Sequence, residues 1–318
     1  MNSKAETFFT KKWAVWLCAL ICTALWGSAF PCIKTGYELF SIDSADTASV
    51  LLFAGIRFFG AGVMALLIGS ILQKKVLLPR RSSWGRIFVL AMFQTVGQYI
   101  FFYISLAHTT GVKGSILSGT GTLFAILFAC LIFRQEKFTG AKIAGCVIGF
   151  IGMVIVNLTG EGITMDFSLL GEGFMILSSV SYAFSTVFLN RFAAKDEPVM
   201  LSGWQFMMGG AILIIVGLIA GGHLNNVNLK GILLLAYMMF ISAAAYSLWG
   251  ILLKYNPVSR ISIFGFMTPV FGSLLSAVFL REFDSIGAST VLALVLVCAG
   301  IYLVNRGTFK KTEAAAGK

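Results

Sequence analysis

Long apolar stretches, each closed by charged or turn-forming residues, set the rhythm of this chain. Ten of them run near residues 13–33, 47–72, 84–107, 112–133, 139–158, 168–190, 199–220, 230–253, 258–280 and 285–305. A soluble element alternates apolar and polar positions, because one of its faces meets water. These stretches do not alternate, and several are free of charge from end to end. Each is long enough to cross a hydrocarbon core of about 30 Å at a helical rise of about 1.5 Å per residue. A helix is the form that satisfies every backbone polar group internally in lipid. The pattern predicts an all-α integral membrane protein of about ten transmembrane helices, joined mostly by short connections and ending in a polar tail from Thr308 to Lys318.

Composition supports the class. Hydrophobic residues make up 58% of the chain, charged residues 12%, and mean hydropathy is +0.90. A typical soluble domain carries about 25% charged residues. Lys11 and Lys12 precede an apolar run from Trp13 to Phe30, as in a secretory signal. That run is long for a signal core and no small-x-small site closes it, so it reads as a retained first helix. Pro31 before Cys32 does not resemble a lipoprotein cleavage site. The six cysteines are scattered without metal-binding or disulfide-framework spacing, so no metal ligand and no cofactor is expected.

Net charge of +11 reads as an orientation signal. With the N-terminus inside, 19 of the 24 lysines and arginines fall in inner segments. Lys34, Lys113, Lys230 and Arg281 fall outside, and Arg57 lies within a helix. Outer segments carry carboxylates instead, among them Glu38, Asp43, Asp46, Glu161 and Asp166. Both termini are therefore expected in the cytoplasm, and the charge calls for no nucleic-acid partner. The lipid bilayer is the implied environment, and the sequence leaves a homo-oligomer open.

The chain also repeats itself. Thr122-Leu-Phe-Ala matches Thr268-Pro-Val-Phe at an offset of 146, and Glu136 and Glu282 keep the same offset. Gly152-Met-Val-Ile-Val-Asn157 matches Gly300-Ile-Tyr-Leu-Val-Asn305 at 148, as does Arg57-Phe58 with Gln205-Phe206. A loop insertion accounts for the difference of two. Two five-helix repeats, over 13–158 and 168–306, are expected. An odd number of helices per repeat makes them cross the membrane in opposite senses, a recurrent transporter architecture with its substrate site near the midplane.

At this point particular residues resemble a known family. Trp26-Gly27-Ser28-Ala29-Phe30-Pro31 is similar to the tryptophan-glycine signature that opens EamA-type members of the drug/metabolite transporter superfamily. Arg57-Phe58, the glutamates of Phe133-Arg-Gln-Glu136 and Leu280-Arg-Glu282, and the closing Gly-x-x-x-x-Asn of both halves resemble its pattern too. The resemblance covers about Trp13 to Arg306, with Leu123 standing where the family often has proline, opposite Pro269. It implies a ten-helix basket around a central cavity that opens alternately to each side. It also implies transport of small solutes, commonly amino acids, other metabolites or drugs, and often export from a bacterial cell.

Candidate contact residues are the polar and aromatic side chains within the spans. Arg57 is the clear intramembrane cation, at a cost of about 2.5–3.5 kcal/mol near the centre of a span; it either snorkels and caps a neighbouring helix or meets an anionic group of a solute. Gln94, Gln98, Tyr99 and Tyr103 recur at spacings near four and can share a face. Ser115, Ser118 and Thr122 do likewise; Trp26, Tyr182, Ser185, Trp204, Gln205, Tyr246 and Trp249 complete the set. Trp26, Arg57, Gln94, Gln98, Tyr103, Ser118, Tyr182 and Trp249 are the expected substrate contacts. The same residue types also pack helices and form interfacial belts. Glu136 and Glu282 read as helix-end anchors paired with flanking arginines, and Glu172 is the nearest carboxylate to a span interior.

With no carboxylate near a midplane, the lining suits a small zwitterionic or neutral metabolite better than a bulky cation, and facilitated transport better than proton coupling. An amino-acid or related metabolite exporter is the reading, with multidrug efflux behind it. An intramembrane enzyme built on Ser118-Gly-Thr-Gly121 would need a converging base, but His108 and His223 fall near connections. No catalytic residue is expected.

Overall fold

The computed structural model describes residues 3–109, 111–157, 167–279 and 288–316. Glu161, Asp166, Arg281, Glu282 and Lys318 of the sequence argument lie outside the described residues, and of Ser115 only the backbone is described. Among the described residues every regular element is helical. In chain order they are α1 (Ser3–Thr10), α2 (Lys12–Leu39), α3 (Thr47–Gln73), α4 (Arg81–Leu106), α5 (Gly111–Leu127), α6 (Gly140–Asn157), α7 (Leu169–Ala193), α8 (Pro198–Ile219), α9 (Leu229–Tyr255), α10 (Val258–Ser262), α11 (Met267–Phe279) and α12 (Ala288–Ala316). A π turn, Phe128–Ile132, continues α5, and a 3₁₀ turn, Ile263–Phe266, joins α10 to α11.

Local chemistry sets several boundaries. Asp46 opens α3 by accepting from the Ala48 and Ser49 amides at 3.1 and 3.2 Å, and Lys74 closes it in the left-handed conformation at φ 52°. Glu197 caps α8 at the Met200 amide, with Pro198 in the first turn where no amide partner is needed. Asn228 caps α9 at the Gly231 amide.

Among the described residues six helices, α2, α3, α4, α7, α8 and α9, are long and apolar enough to cross a membrane. Shorter apolar helices cover Ile116–Ile132, Gly140–Ile155, Val258–Gly272 and Val291–Arg306. Large apolar side chains such as Leu67, Ile71, Leu72, Ile219, Leu233 and Val295 are exposed on their outer faces. Water would penalise that surface and lipid accommodates it. The chain is a multi-pass membrane protein.

Two helix pairs pack backbone to backbone. On the α3–α8 pair, a Cβ added to Gly210 would stand 2.8 Å from the Gly55 carbonyl oxygen, and one added to Gly62 would stand 2.5 Å from that of Gly203. On the α6–α12 pair, Gly145 meets the Gly300 carbonyl and Gly152 that of Ala293, at 2.7 and 2.9 Å by the same measure. In each pair residue numbers rise on one helix as they fall on the other, so the partners run antiparallel. Small residues let such helices approach closely in lipid, where dispersion contacts must replace hydrophobic driving force.

A π turn, Ala91–Gly97, interrupts α4. Wider turns of this kind break the usual hydrogen-bond ladder and recur at functional sites. Here the Phe93 carbonyl accepts from the Ser181 hydroxyl of α7 at 2.7 Å.

Candidate functional site

The middle of the helix assembly encloses a cavity of about 200 Å³. Its walls come from α2 (Trp26, Ala29, Ile33), α3 (Arg57), α4 (Gln98, Tyr99, Phe102, Tyr103), α5 (Ser118, Gly119, Thr122), α7 (Ser178, Ser179, Tyr182), α9 (Tyr246) and the 263–269 stretch (Gly265, Thr268, Pro269). At a liquid share of about 30 Å³ per water, that is room for roughly seven waters or one small solute.

Aromatic rings hold one another in place along one wall. Trp26 meets Tyr246 edge-on at 5.0 Å, and Tyr246 meets Phe206 at 4.9 Å. The Tyr99 ring lies 4.3 Å from Phe58 and its hydroxyl 3.2 Å from that of Tyr246. Phe58 in turn stacks on Phe206 at 5.3 Å with planes 15° apart. Helices α5 and α7 add small hydroxyls to the lining. Ser178 donates to the Gln98 carbonyl at 2.8 Å and Ser179 to the Leu117 carbonyl at 3.0 Å, so these serines fasten α7 to α4 and α5.

Arg57 supplies the charge. Among the described lining residues it is the one charged side chain, and no Asp or Glu accompanies it. It is only 3% exposed, donates to the Ser242 hydroxyl at 3.1 Å, and holds its guanidinium carbon 5.1 Å from the Phe58 ring centre. A hydroxyl and a ring face offset part of the cost of burying a cation, and neither neutralises it. Three buried polar atoms on the lining have no protein partner: Arg57 Nε and Trp26 Nε1, both donors, and Gln98 Oε1, an acceptor. Buried polar groups are ordinarily satisfied; these three atoms are also covered by protein, so a solute would reach them only after lining side chains shift.

The structure brings Trp26, Arg57, Gln98, Tyr103, Ser118 and Tyr182 of the expected contacts to this one cavity. It places Gln94 and Trp249 elsewhere. Gln94 lies in the π turn, four residues before Gln98 on the same helix. It is 2% exposed, on the buried side of α4 where neighbouring Thr95 donates to Gln205. Trp249 packs against Trp26 at 4.9 Å and is 2% exposed without reaching the cavity. Sequence reasoning missed Phe102, Ser178, Ser179 and Gly265 as lining; it met Thr268 in a repeat block and Pro269 there and as a family proline. Helical serines and a single phenylalanine carry no pattern that separates lining from packing.

Two of the carboxylates flagged in the sequence, Glu172 and Glu136, have structural partners. Glu172 accepts from Thr109 and from the Ser168 amide, both at 2.7 Å, at the start of α7. Glu136 pairs with Lys142 at 2.7 Å, where flanking Arg134 was expected.

Comparison with known proteins follows the same outline. Residues 13–158 and 169–306 each match the sequence profile of the EamA-like transporter family. An uncharacterized transporter of Synechocystis sp. is 26% identical over 298 residues, covering 89% of this chain and 87% of that protein. An uncharacterized transporter of Archaeoglobus fulgidus is 25% identical, over 92% of this chain and 98% of that one. The Escherichia coli K12 protein named as an uncharacterized inner membrane transporter, YedA, is 24% identical over 90% and 88%. A solved crystal structure 16% identical in sequence superposes with a TM-score of 0.73 over 92% of this chain and 96% of that one, which shows a shared fold.

Proposed function

The chain belongs to the EamA-like transporter family, and we propose that it exports small metabolites, amino acids or related solutes, across a bacterial cytoplasmic membrane by alternating access. The cavity carries this reading: one buried arginine, aromatic walls and, among the described lining residues, no carboxylate. A zwitterion or other small carboxylated solute brings the anion that Arg57 lacks. An organic cation would enter a low-dielectric site already positive, so multidrug efflux is the weaker reading. With no acidic side chain among the described lining residues, facilitated movement down the solute gradient is favoured over proton coupling.

The architecture that goes with it is ten spans in two inverted five-helix repeats, over 13–158 and 168–306. Six long and four shorter apolar helices are compatible with that count. The glycine contacts support the repeat. Adding the offset of 148 turns Gly55 into Gly203 and Gly62 into Gly210, so the contact Gly55–Gly210 maps onto Gly203–Gly62. The contact Gly145–Gly300 maps in the same way onto Ala293–Gly152. Self-mapping contacts between antiparallel helices are what a two-fold axis in the membrane plane produces. The basic-residue asymmetry supports both termini in the cytoplasm, and the name of the YedA relative agrees with the inner membrane.

Counterflow in proteoliposomes tests the function. Preloaded unlabelled amino acids should drive uptake of labelled amino acid with or without a pH gradient. Uptake that appears only with the gradient overturns uncoupled transport, and exchange of organic cations without amino acids overturns the substrate class.

A further inference from the structure

Three helices that wall the cavity continue to one face of the molecule and are tied together there. At about 1.5 Å per residue, Asn190 lies about 12 Å beyond Tyr182 along α7, and Asn256 lies about 15 Å beyond Tyr246 at the end of α9. Ser259, in α10, precedes Gly265 of the wall by a similar short run. Trp249 on α9 and Phe264 before Gly265 lie between this level and the lining residues along the chain, and both are buried.

Glu136, in the connection between α5 and α6, makes the central tie. Its carboxylate accepts from the Ser259 amide at 3.0 Å, from the Ser259 hydroxyl, and from Lys142 Nζ at 2.7 Å. Lys142 also donates to the Lys137 carbonyl at 2.9 Å. The side chains of Glu136 and Lys142 are only 9% and 10% exposed. Around them, Asn190 donates to the Leu253 carbonyl at 2.6 Å, Asn256 donates to the Phe9 carbonyl at 2.9 Å, and Arg260 donates to Asn256 Oδ1 at 2.7 Å.

Two features set this tie apart from an ordinary ion pair at a helix end. First, the residue preceding α10 is Pro257, which offers no capping side chain. A residue 123 positions away in sequence supplies the acceptor instead. Second, the helical path that begins at α10 carries Gly265, Thr268 and Pro269 into the cavity wall. Gly265 has Thr122 of α5 close against it, its Cβ position 2.5 Å from Thr122 Oγ1. Glu136 therefore joins the connection that follows α5 to the start of the path that packs against α5 at Gly265.

We propose that Glu136 is a positioning residue: by capping Ser259 it latches the α10 face shut beneath the cavity, and releasing that cap is a step in opening the cavity to this face. The tie stands on its own geometry; its meaning as a gate rests on the transport reading. No bond is made or broken beyond hydrogen bonds, and the buried carboxylate keeps Lys142 as partner when Ser259 leaves.

Hydrogen–deuterium exchange of the full chain in nanodiscs reads the tie directly, and counterflow reads the gate. In Glu136→Ala, amide exchange over 258–264 should rise about tenfold or more, while the α3–α8 crossing keeps its protection. Solute turnover should change with little change in KM. Glu136→Gln keeps an acceptor for the Ser259 amide but loses charge, and should fall between wild type and alanine in both measurements. Unchanged exchange over 258–264, or a rise spread evenly over the whole chain, would overturn the latch. So would raised local exchange with unaltered turnover in a protein that transports. If no solute moves even in the wild type, the transport reading fails, and the exchange arm still decides whether Glu136 holds α10.

Discussion

Replacing Gly210 by alanine measures how much the fold depends on contact between α3 and α8. The added Cβ would stand 2.4 Å from the Phe59 amide nitrogen and 2.8 Å from the Gly55 carbonyl oxygen. Ordinary contact for such a carbon begins near 3.4 Å, so the helices must part by about 1 Å. Both obstacles are backbone atoms, so no side-chain rotation relieves the clash. Overpacking of this kind costs about 1–3 kcal/mol. Alanine also gains about 1 kcal/mol of helix propensity over glycine, which would mask part of the loss. Gly85→Ala is the control: it lies in α4 with nothing within 4 Å of its Cβ position, so it takes the propensity gain without the clash. The difference between the two variants isolates the packing term. At about 2–4 °C per kcal/mol, Gly210→Ala should melt about 2–12 °C below Gly85→Ala. Thermal unfolding of both in one detergent at one scan rate is the assay. A Gly210→Ala midpoint equal to or above that of Gly85→Ala would refute the close-contact argument.

Three further outcomes are expected. Arg57→Gln should weaken exchange of a carboxylated solute about 10- to 150-fold, the worth of one charge-assisted hydrogen bond of about 1.5–3 kcal/mol. Uncharged competitors should keep their affinity, and an equal loss for both would make Arg57 a packing residue. At the start of α3, hydrogen bonds from Ser49 hold the Asp46 carboxyl below its ordinary value. Its cap should therefore contribute fully above the unfolded pKa of about 3.9 and be lost as pH falls through the lower folded value. The melting difference between wild type and Asp46→Ala should be constant from about pH 7 to 5 and shrink toward about pH 3; a difference that does not shrink counts against the cap. For orientation, an impermeant thiol reagent outside intact cells should label Asn226→Cys and spare Ser82→Cys, both exposed positions. The reverse pattern would invert the topology.

How much of this was legible in the sequence depended on the range of each interaction. Uncharged runs revealed the helical membrane class, because lipid acts on every residue of a span alike. Arg57, Gln98, Tyr103 and Tyr182 stood out because polar groups are costly inside a span and few positions carry them. What escaped was set by geometry that residue identity does not encode. Gln94 and Gln98 read alike as intramembrane amides four residues apart, yet Gln94 is buried in the π turn at Ala91–Gly97 while Gln98 reaches the cavity. Trp249 and Trp26 look equivalent as intramembrane tryptophans, yet one packs behind the other. Glu136 was legible as a helix-end anchor, but its partner Ser259 is distant in the chain and nothing near either residue points to the other.

The proposed repeat also shows how a nearly symmetric scaffold can hold an asymmetric solute. At the offset of 148, Phe58 corresponds to Phe206, and these rings stack on each other as neighbours of a two-fold axis would. One position earlier the halves diverge: Arg57 lines the cavity, whereas Gln205 is fully buried and accepts from Thr95 at 2.8 Å. Two arginines facing one small cavity would repel each other across low dielectric at a cost the walls could not screen. Charging one half only gives the cavity a single cation, among Gln98, tyrosines and ring faces. Under the proposed function, a solute that is itself polar at one end would be oriented by it. Gln205→Arg should consequently lower folded yield or abolish exchange even though it restores the repeat's symmetry, and a fully active Gln205→Arg protein would show that the asymmetry of the two halves is not what orients the solute.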